Sequence, residues 1–223
     1  MKTFTLLCML LGNLSPSKFS SRLASSNEIS STNRENPNLT KTTHSSAIQN
    51  ALRGYSCLQE TNFVAAAEYM IIIDYSLPST FPRLLVYDLK NQRICSSMHV
   101  AHGRGSGLNL AESFSNQPAS YKSCLGFFKI GGMYSGAHGR AVRLIGLEPG
   151  INDRTLQRGI VIHAADYVEE HFINTVGRAG RSLGCPAVSA SNLKALMPYL
   201  QKSACLFIYA PQASYFQQSR FFR

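Results

Sequence analysis

The pattern of apolar and polar residues divides the chain into a polar leader and a domain of short apolar runs. Residues 15–45 are dominated by Ser, Thr and Asn and carry few large apolar side chains, which is typical of a flexible segment. After this leader the apolar side chains of Ile48, Leu52 and Tyr55 recur at spacings of four and three, which predicts a helix.

Beyond residue 69 the apolar residues occur in short runs bounded by Gly, Pro, Asn and Ser. Runs of this kind are typical of β-strands. The predicted strands lie at residues 70–73, 84–87, 98–101, 126–130, 141–145, 159–163 and 205–209, with a hairpin turn at 88–92 and a helix at 191–200. Because few helical periods interrupt them, the predicted fold class is mostly β, sandwich-like or barrel-like, with an N-terminal helix and a few short helices.

The charge balance of the chain favours an anionic partner. Lys and Arg number 22 against 12 Asp and Glu, which gives a formal net charge of +10. The basic residues are scattered singly, without the dense run that marks a nucleic-acid-binding tail, so nucleic acid is not the expected partner. A bacterial cell-wall polymer rich in free carboxylates is the other anionic partner that this charge fits.

The start of the chain has the pattern of an export signal. Lys2 supplies a positive charge, residues 4–11 form an apolar run, and residues 15–26 are small and polar. The alternative is an ordinary chain terminus. Because the apolar run is too short to cross a membrane as a helix, no stable membrane insertion is expected. We expect a signal peptide at residues 1–25, a flexible leader at 26–45, and a periplasmic or exported protein.

The cysteine content points to a free thiol. Five cysteines follow the predicted signal, and an odd number in an exported protein leaves at least one unpaired. Cys185 is the candidate for that thiol. No Cys-x-x-Cys pair occurs, and the three-residue spacing of His99 and His102 directs them to opposite faces of a strand, so no metal site is expected.

Residues 180–185, with the sequence Gly-Arg-Ser-Leu-Gly-Cys, contain the groups that cysteine nucleophilic catalysis needs. Gly184 beside Cys185 lets a substrate approach the backbone closely, and N–H groups there can hold an oxyanion. His163 ends an apolar run 22 residues before the cysteine, and its imidazole can take the thiol proton. Taken singly, the histidine could be a packed core residue and the cysteine a small buried hydrophobe.

The same residues fit the Gly-x-Ser-x-Gly elbow of serine hydrolases, with Ser182 as the nucleophile. That arrangement requires an acid and a histidine later in the chain. Neither Asp, Glu nor His follows Ser182, so the cysteine interpretation is favoured.

Residues 102–107 form a second glycine-rich stretch. It lacks the Gly-Lys-Ser/Thr ending of a phosphate-binding loop, so that match is weak. The functional interpretation is a substrate-facing loop in which His102 or Arg104 binds a carboxylate. The alternative is a flexible hairpin end without function.

Together these segments resemble the murein L,D-transpeptidase catalytic-domain family, a branch of the YkuD-like fold. The resemblance covers about residues 46–210, with matching stretches at 73–79, 101–107, 114–116, 125–128, 146–153, 160–163 and 180–188. The wider fold carries a histidine, a gap and then Ser-x-Gly-Cys, which this chain has at residues 182–185. The resemblance implies a β-sandwich-like catalytic domain at residues 46–212, followed by a C-terminal tail at 213–223.

The resemblance implies Cys185 as the nucleophile and His163 as its base, with Ser182 and Gly184 in the same catalytic loop. The thiolate would cleave a peptidoglycan stem tetrapeptide at its third residue, release D-Ala and pass the acyl group to an amine. Water as the acceptor would instead give a carboxypeptidase, and a catalytically idle domain would be a cell-wall-binding module. No cofactor is required, and a monomer is expected.

The chain departs from the family at one position. The wider signature continues with Arg or Asn two residues after the cysteine, where this chain has Ala187. Arg181 is therefore expected to supply the missing charge, and with His102 and Arg104 it forms the predicted substrate-binding group.

Overall fold

The computed structural model describes residues 43–136 and 139–223. Its helices are α1 (Ser45–Glu60), α2 (Glu170–Val176), α3 (Ala190–Lys202) and α4 (Ala213–Gln218), with a 3₁₀ turn at Asp166–Val168. Its strands are β1 (Tyr69–Asp74), β2 (Leu84–Asp88), β3 (Arg93–Met98), β4 (Gly126–Gly136), β5 (Gly139–Gly146), β6 (Val161–Ala164), β7 (Ala187–Val188) and β8 (Ser203–Tyr209). The predicted signal peptide and nearly all of the predicted leader lie outside the described residues.

The eight strands form one sheet in the order β3-β2-β1-β8-β4-β5-β6-β7. The β1–β8 and β6–β7 pairs are parallel, and the other pairs are antiparallel. Two isolated bridges, Ala101 with Ala187 and Gly103 with Ser182, join the chain that follows β3 to the chain around β7. The sheet therefore curves until its two ends approach each other. The predicted mostly β fold with a few short helices is confirmed.

The centre of the sheet explains why its strands read as unbroken apolar runs. β1 lies between β2 and β8, with Ile72 opposite both Leu85 and Phe207. Ile71, Ile72 and Ile73 are all fully buried, so both faces of this strand are covered. Burial of these side chains stabilises the fold by about 2 kcal/mol each.

Two helices cover the sheet through apolar faces. α1 buries Ala47, Ala51 and Leu58, and a Cβ on Gly54 would overlap the ring of Phe127, so glycine permits a close approach at that point. α3 begins at Ser189, whose side chain accepts a hydrogen bond from the Asn192 N–H. It buries Leu193, Leu196 and Leu200. The helix predicted from the apolar spacing after residue 46 and the helix predicted at residues 191–200 are both present.

The strand predicted at residues 98–101 lies earlier in the chain, at Arg93–Met98. The predicted turn at 88–92 is present, and Asp88 accepts hydrogen bonds there from the backbone and side-chain N–H groups of Asn91. β3 pairs only with β2 and exposes Arg93 and Cys95, so it needs few apolar side chains. An apolar pattern could not identify such an edge strand.

Residues 213–223, expected as a tail outside the domain, are packed against it. α4 occupies most of this segment, and Phe221 and Phe222 are buried. The buried Glu148 accepts hydrogen bonds from the Phe127 N–H, the Tyr215 hydroxyl and the Ser219 hydroxyl. Because this carboxylate ties the C-terminal segment to β4, the boundary at residue 212 is a correction: the packed domain continues to the end of the described chain.

The packing of the C-terminal segment predicts a loss of stability when one of its rings is removed. Phe222→Ala is expected to lower the free energy of unfolding by about 3 kcal/mol, because a buried ring leaves a cavity. Urea denaturation at neutral pH measures this change. The control is Leu156→Ala, which shortens a side chain that is 56% exposed and should change stability by less than about 0.5 kcal/mol. Equal effects of the two substitutions would contradict the packed arrangement.

Candidate active site

The parallel pairing of β6 and β7 brings the predicted base next to the predicted nucleophile. His163 on β6 is the partner of Ala187 on β7, which lies two residues after Cys185. The His163 N–H also donates to the Pro186 carbonyl, at 3.4 Å. Residues that are 22 positions apart in the sequence therefore lie on neighbouring segments of the sheet.

A cavity of about 740 Å³ opens at this pair. Its polar and aromatic lining comprises Tyr134, His163, Asp166, Tyr167, Arg181, Ser182 and Cys185. The structure thus brings together four of the seven predicted site residues in one cavity. The other three, Gly184, His102 and Arg104, do not line it.

Ser182 fixes the loop that carries the cysteine. Its hydroxyl donates to the Cys185 carbonyl at 2.6 Å and accepts from the Gly184 N–H at 3.0 Å. Its N–H donates to the His102 carbonyl at 2.9 Å, and its carbonyl accepts from the Arg104 N–H at 2.8 Å. Because the hydroxyl proton is used to hold the loop, Ser182 acts here as a structural residue.

Gly184 is required by the backbone conformation of the same loop. Its φ is +128°, and a Cβ there would lie 3.0 Å from the Lys122 carbonyl oxygen. The sequence analysis predicted that backbone N–H groups near Gly184 and Cys185 bind the oxyanion. Since the Gly184 N–H already donates to Ser182, the Cys185 N–H is the candidate donor that remains.

The surroundings of the Cys185 thiol favour its neutral form. Burial raises its pKa, while a hydrogen bond with the Val161 backbone and the positive charge of Arg158 act in the opposite direction. Its sulfur donates to the Gly159 carbonyl at 3.6 Å. Burial also raises the pKa of the nearby Tyr167 phenol to about 12, so this group is neutral as well. A reaction of Cys185 therefore needs a base.

The hydrogen bonding of His163 defines which ring nitrogen can act as that base. Its Nδ1 lies 2.9 Å from the Ala164 carbonyl oxygen. A carbonyl only accepts, so Nδ1 carries the proton and the lone pair of the neutral ring is on Nε2. The carbonyl thereby fixes both the tautomer and the orientation of the imidazole.

His102 is buried behind the loop and does not face the cavity. It is fully buried, and its Nδ1 accepts a hydrogen bond at 2.7 Å from the guanidinium of Arg83, which is also fully buried. Arg83 donates further to the carbonyls of Leu77 and Val100 and stacks over Tyr75. Burial, followed by the Arg83 charge, lowers the pKa of His102 to about 4. The geometry therefore corrects its assignment to substrate binding: His102 is a neutral structural residue.

The two predicted arginines differ in position. Arg104 is exposed and stacks over Tyr121 at 4.2 Å, outside the cavity, so its assignment to substrate binding stays a prediction. Arg181 lines the cavity and donates to the Gly107 carbonyl at 3.1 Å. Ala187 is fully buried in the β6–β7 pair. Among the described residues of the lining, Arg181 is the one Lys or Arg, and its role in substrate binding stays a prediction.

Sequence reasoning missed Asp166, Tyr167 and Tyr134. The first two lie three and four residues after His163, at the end of the predicted strand at 159–163, and that proximity was the available signal. Tyr134 reaches the cavity only because β4 continues to Gly136, well beyond its predicted end at residue 130. The glycines at 131 and 132 ended the apolar run without ending the strand.

Three features bear on metals, disulfides and membranes. The cysteines at positions 57, 95, 124, 185 and 205 are free thiols. Within residues 43–136 and 139–223, no three His, Cys, Asp or Glu side chains are grouped so that they could hold a metal ion. In the same ranges no helix has the length and apolar character needed to span a bilayer.

Comparison with family models matches residues 39–209 to the L,D-transpeptidase catalytic domain. The chain belongs to this family. No curated protein matches the chain. The matched region contains both His163 and Cys185.

Solved structures give distant similarities to this L,D-transpeptidase domain. An L,D-transpeptidase (residues 123–326) from Xylanimonas cellulosilytica DSM 15894 is 13% identical with a TM-score of 0.40, over 65% of this chain and 62% of that one. An L,D-transpeptidase from Mycobacterium smegmatis is 14% identical with a TM-score of 0.39, over 65% and 60%. One from Stackebrandtia nassauensis is 16% identical with a TM-score of 0.41, over 67% and 58%. The match thus spans about three fifths of those chains.

The neutral state of His102 predicts a loss of stability in mild acid. Above pH 6.5 the imidazole is neutral in both the folded and the unfolded chain. As the pH falls from 6.5 to about 4, the unfolded chain takes up a proton that the folded chain excludes, which costs roughly 3 kcal/mol of stability. His102→Asn keeps an acceptor for Arg83 but does not titrate, so it should remove most of this loss.

Urea denaturation at pH 7 and at pH 4.5 measures the effect, and only the difference between the two pH values is compared. The matched control is His99→Asn, which removes a half-buried imidazole three residues earlier and leaves His102 in place. It should keep the acid loss of the unmodified protein. An unchanged acid loss in His102→Asn would contradict the buried neutral imidazole.

Proposed function

We propose that this domain is a peptidoglycan L,D-transpeptidase with Cys185 as its nucleophile and His163 as its base. The observation that carries the proposal is that His163 on β6 and Cys185, in the loop just before the paired strand β7, open onto one cavity together with Arg181. Membership of the L,D-transpeptidase family supports the reaction class. The substrate is a stem tetrapeptide, and the protein acts outside the cytoplasm after removal of a signal peptide at residues 1–25, with a flexible leader at 26–45.

The first half of the reaction forms a thioester. His163 Nε2 takes the proton of the Cys185 thiol, and the sulfur attacks the carbonyl carbon of the third stem residue. The Cys185 N–H donates to the oxyanion as it develops. When the tetrahedral intermediate collapses, the bond to D-Ala breaks and His163 gives its proton to the leaving amine. Because burial raises the pKa of the thiol, the reaction depends on this transfer rather than on a preformed thiolate.

The second half returns the enzyme to its resting state. An amine of a second stem attacks the thioester carbonyl and loses a proton to His163. The carbon–sulfur bond breaks, and the sulfur recovers that proton as a thiol. The new amide bond is the cross-link. Water in place of the amine would give a free carboxylate, so the same thioester would serve hydrolysis.

Charge in and around the cavity fits a substrate that carries a carboxylate. Arg181 presents a guanidinium to the cavity, and a terminal D-Ala carboxylate is a group that a guanidinium binds in a bidentate manner. The net charge of +10 attracts the same polymer at longer range.

A second candidate is a cell-wall-binding module without catalysis. The raised pKa of the Cys185 thiol favours this alternative, since a neutral thiol without an effective base is a poor nucleophile. Binding in the same cavity would then use Arg181 without a covalent step.

The proposal predicts the behaviour of two variants toward tetrapeptide muropeptides. The unmodified protein should gain an adduct on Cys185 with loss of D-Ala and should produce cross-linked dimers. Cys185→Ala should form neither, and His163→Ala should be slower by at least about 100-fold because proton transfer is lost. Mass spectrometry of the intact protein and of the products measures both.

The matched control is Cys95→Ala, which removes an exposed thiol away from the cavity and should leave activity unchanged. Tripeptide products without dimers would identify a hydrolase. Binding without adduct or product would identify a binding module. Activity retained in Cys185→Ala would exclude the cysteine mechanism altogether.

A further inference from the structure

The guanidinium of Arg158 lies beneath the loop that carries Cys185. Its Nη1 donates to the Ser115 carbonyl at 2.6 Å. Its Nη2 donates to the Lys122 carbonyl at 2.5 Å and to the Ser120 hydroxyl at 3.5 Å. One side chain from the segment before β6 therefore holds both ends of the 115–122 segment.

The same guanidinium is close to the catalytic loop itself. Its Nη2 lies 3.1 Å from the position that a Cβ on Gly184 would occupy. The next residue in the chain, Gly159, accepts the hydrogen bond of the Cys185 sulfur. The side chain of Arg158 therefore lies close to Gly184, and the carbonyl of the neighbouring Gly159 binds the Cys185 sulfur. Both contacts are made to the same catalytic loop.

The charge of Arg158 is not cancelled by a carboxylate. Its hydrogen-bond partners named above are two carbonyls and a hydroxyl, all of them neutral. Within residues 43–136 and 139–223, none of the ion pairs involves Arg158. The side chain is half-buried, so water screens its field only in part. An uncompensated cation beside a thiol favours the thiolate form.

We propose that Arg158 is a positioning residue for the cysteine chemistry: its charge stabilises the Cys185 thiolate while its two N–H arms hold residues 115–122 against the catalytic loop. This inference rests on the proposed role of Cys185 as the nucleophile. It assigns to Arg158 the charge that acts on the sulfur, and it leaves to Arg181 the charge that acts on the substrate.

Other groups also face the thiol and must be kept constant in any test. Those lining the cavity are Tyr134, His163, Asp166, Tyr167 and Arg181. Tyr75 and Cys124 also interact electrostatically with the thiol, and burial raises the pKa of the Cys124 thiol to about 11. Arg158 also interacts with Cys124, so its positive charge acts on the sulfurs of both Cys124 and Cys185. Substitutions at Arg158 do not remove any of these side chains.

The test is the pH dependence of alkylation of Cys185 by iodoacetamide, read by peptide mass mapping so that the other thiols do not contribute. Arg158→Gln is expected to raise the midpoint of this profile by about one pH unit, which is about a tenfold lower rate at a fixed pH below the midpoint. Arg158→Lys keeps the charge and loses the planar fork, so its midpoint should stay near that of the unmodified protein.

The matched control is Arg154→Gln. This substitution also removes a positive charge and a contact to the same segment, because Arg154 donates to the Gln117 side chain, but it leaves the Arg158 cation in place. Its midpoint should be unchanged. Circular dichroism establishes that each variant is folded before alkylation is measured.

An unchanged midpoint in folded Arg158→Gln would overturn the proposal. A rise in Arg158→Lys by about one unit would also overturn it, since the charge would then have no part in the effect, and this arm decides the matter if Arg158→Gln does not fold. Alkylation uses no peptidoglycan. A failure of transpeptidation in the unmodified protein would therefore reject the proposed function and leave the effect of Arg158 on the thiol as measured.

Discussion

The parallel contact between β6 and β7 is the constraint on which the candidate site depends. β7 contains only two residues, Ala187–Val188, and it lies between β6 and the bridge to Ala101. So short a strand supplies few ladder hydrogen bonds, and the position of Cys185 cannot rest on it alone. The loop before the cysteine supplies the rest, because Ser182 uses its N–H, its carbonyl and its hydroxyl to fix that loop from several directions.

Much of the polar chemistry near the site is used to hold the backbone. Arg83 and His102 are buried together, and burial, followed by the charge of Arg83, lowers the pKa of the imidazole and keeps it neutral. The carbonyl of His102 then receives the Ser182 N–H. His102, which the sequence analysis assigned to substrate binding, thus helps to hold the loop that carries Cys185. This arrangement leaves one guanidinium in the described lining to meet the substrate.

The sequence predicted those parts of the protein whose physics is local. Central strands such as β1 are buried on both faces and therefore read as unbroken apolar runs. The pairing of His163 with Cys185 followed from the needs of cysteine chemistry, together with the family resemblance. The position of strand β3 was predicted wrongly, because an edge strand that pairs with only one neighbour requires few apolar residues. The burial of Phe222 and the position of Arg158 depend on contacts between distant segments, which a pattern along the chain does not contain.

The neutral state of the Cys185 thiol has a consequence for the lifetime of the protein. Peroxides oxidise the thiolate, and a protonated thiol reacts with them slowly. The burial that raises the pKa of Cys185 therefore also slows its conversion to sulfenic acid while the cavity holds no substrate. In the proposed mechanism the sulfur loses its proton only when His163 and a substrate act together. Oxidants would then inactivate the protein in proportion to the number of turnovers it performs rather than to its age.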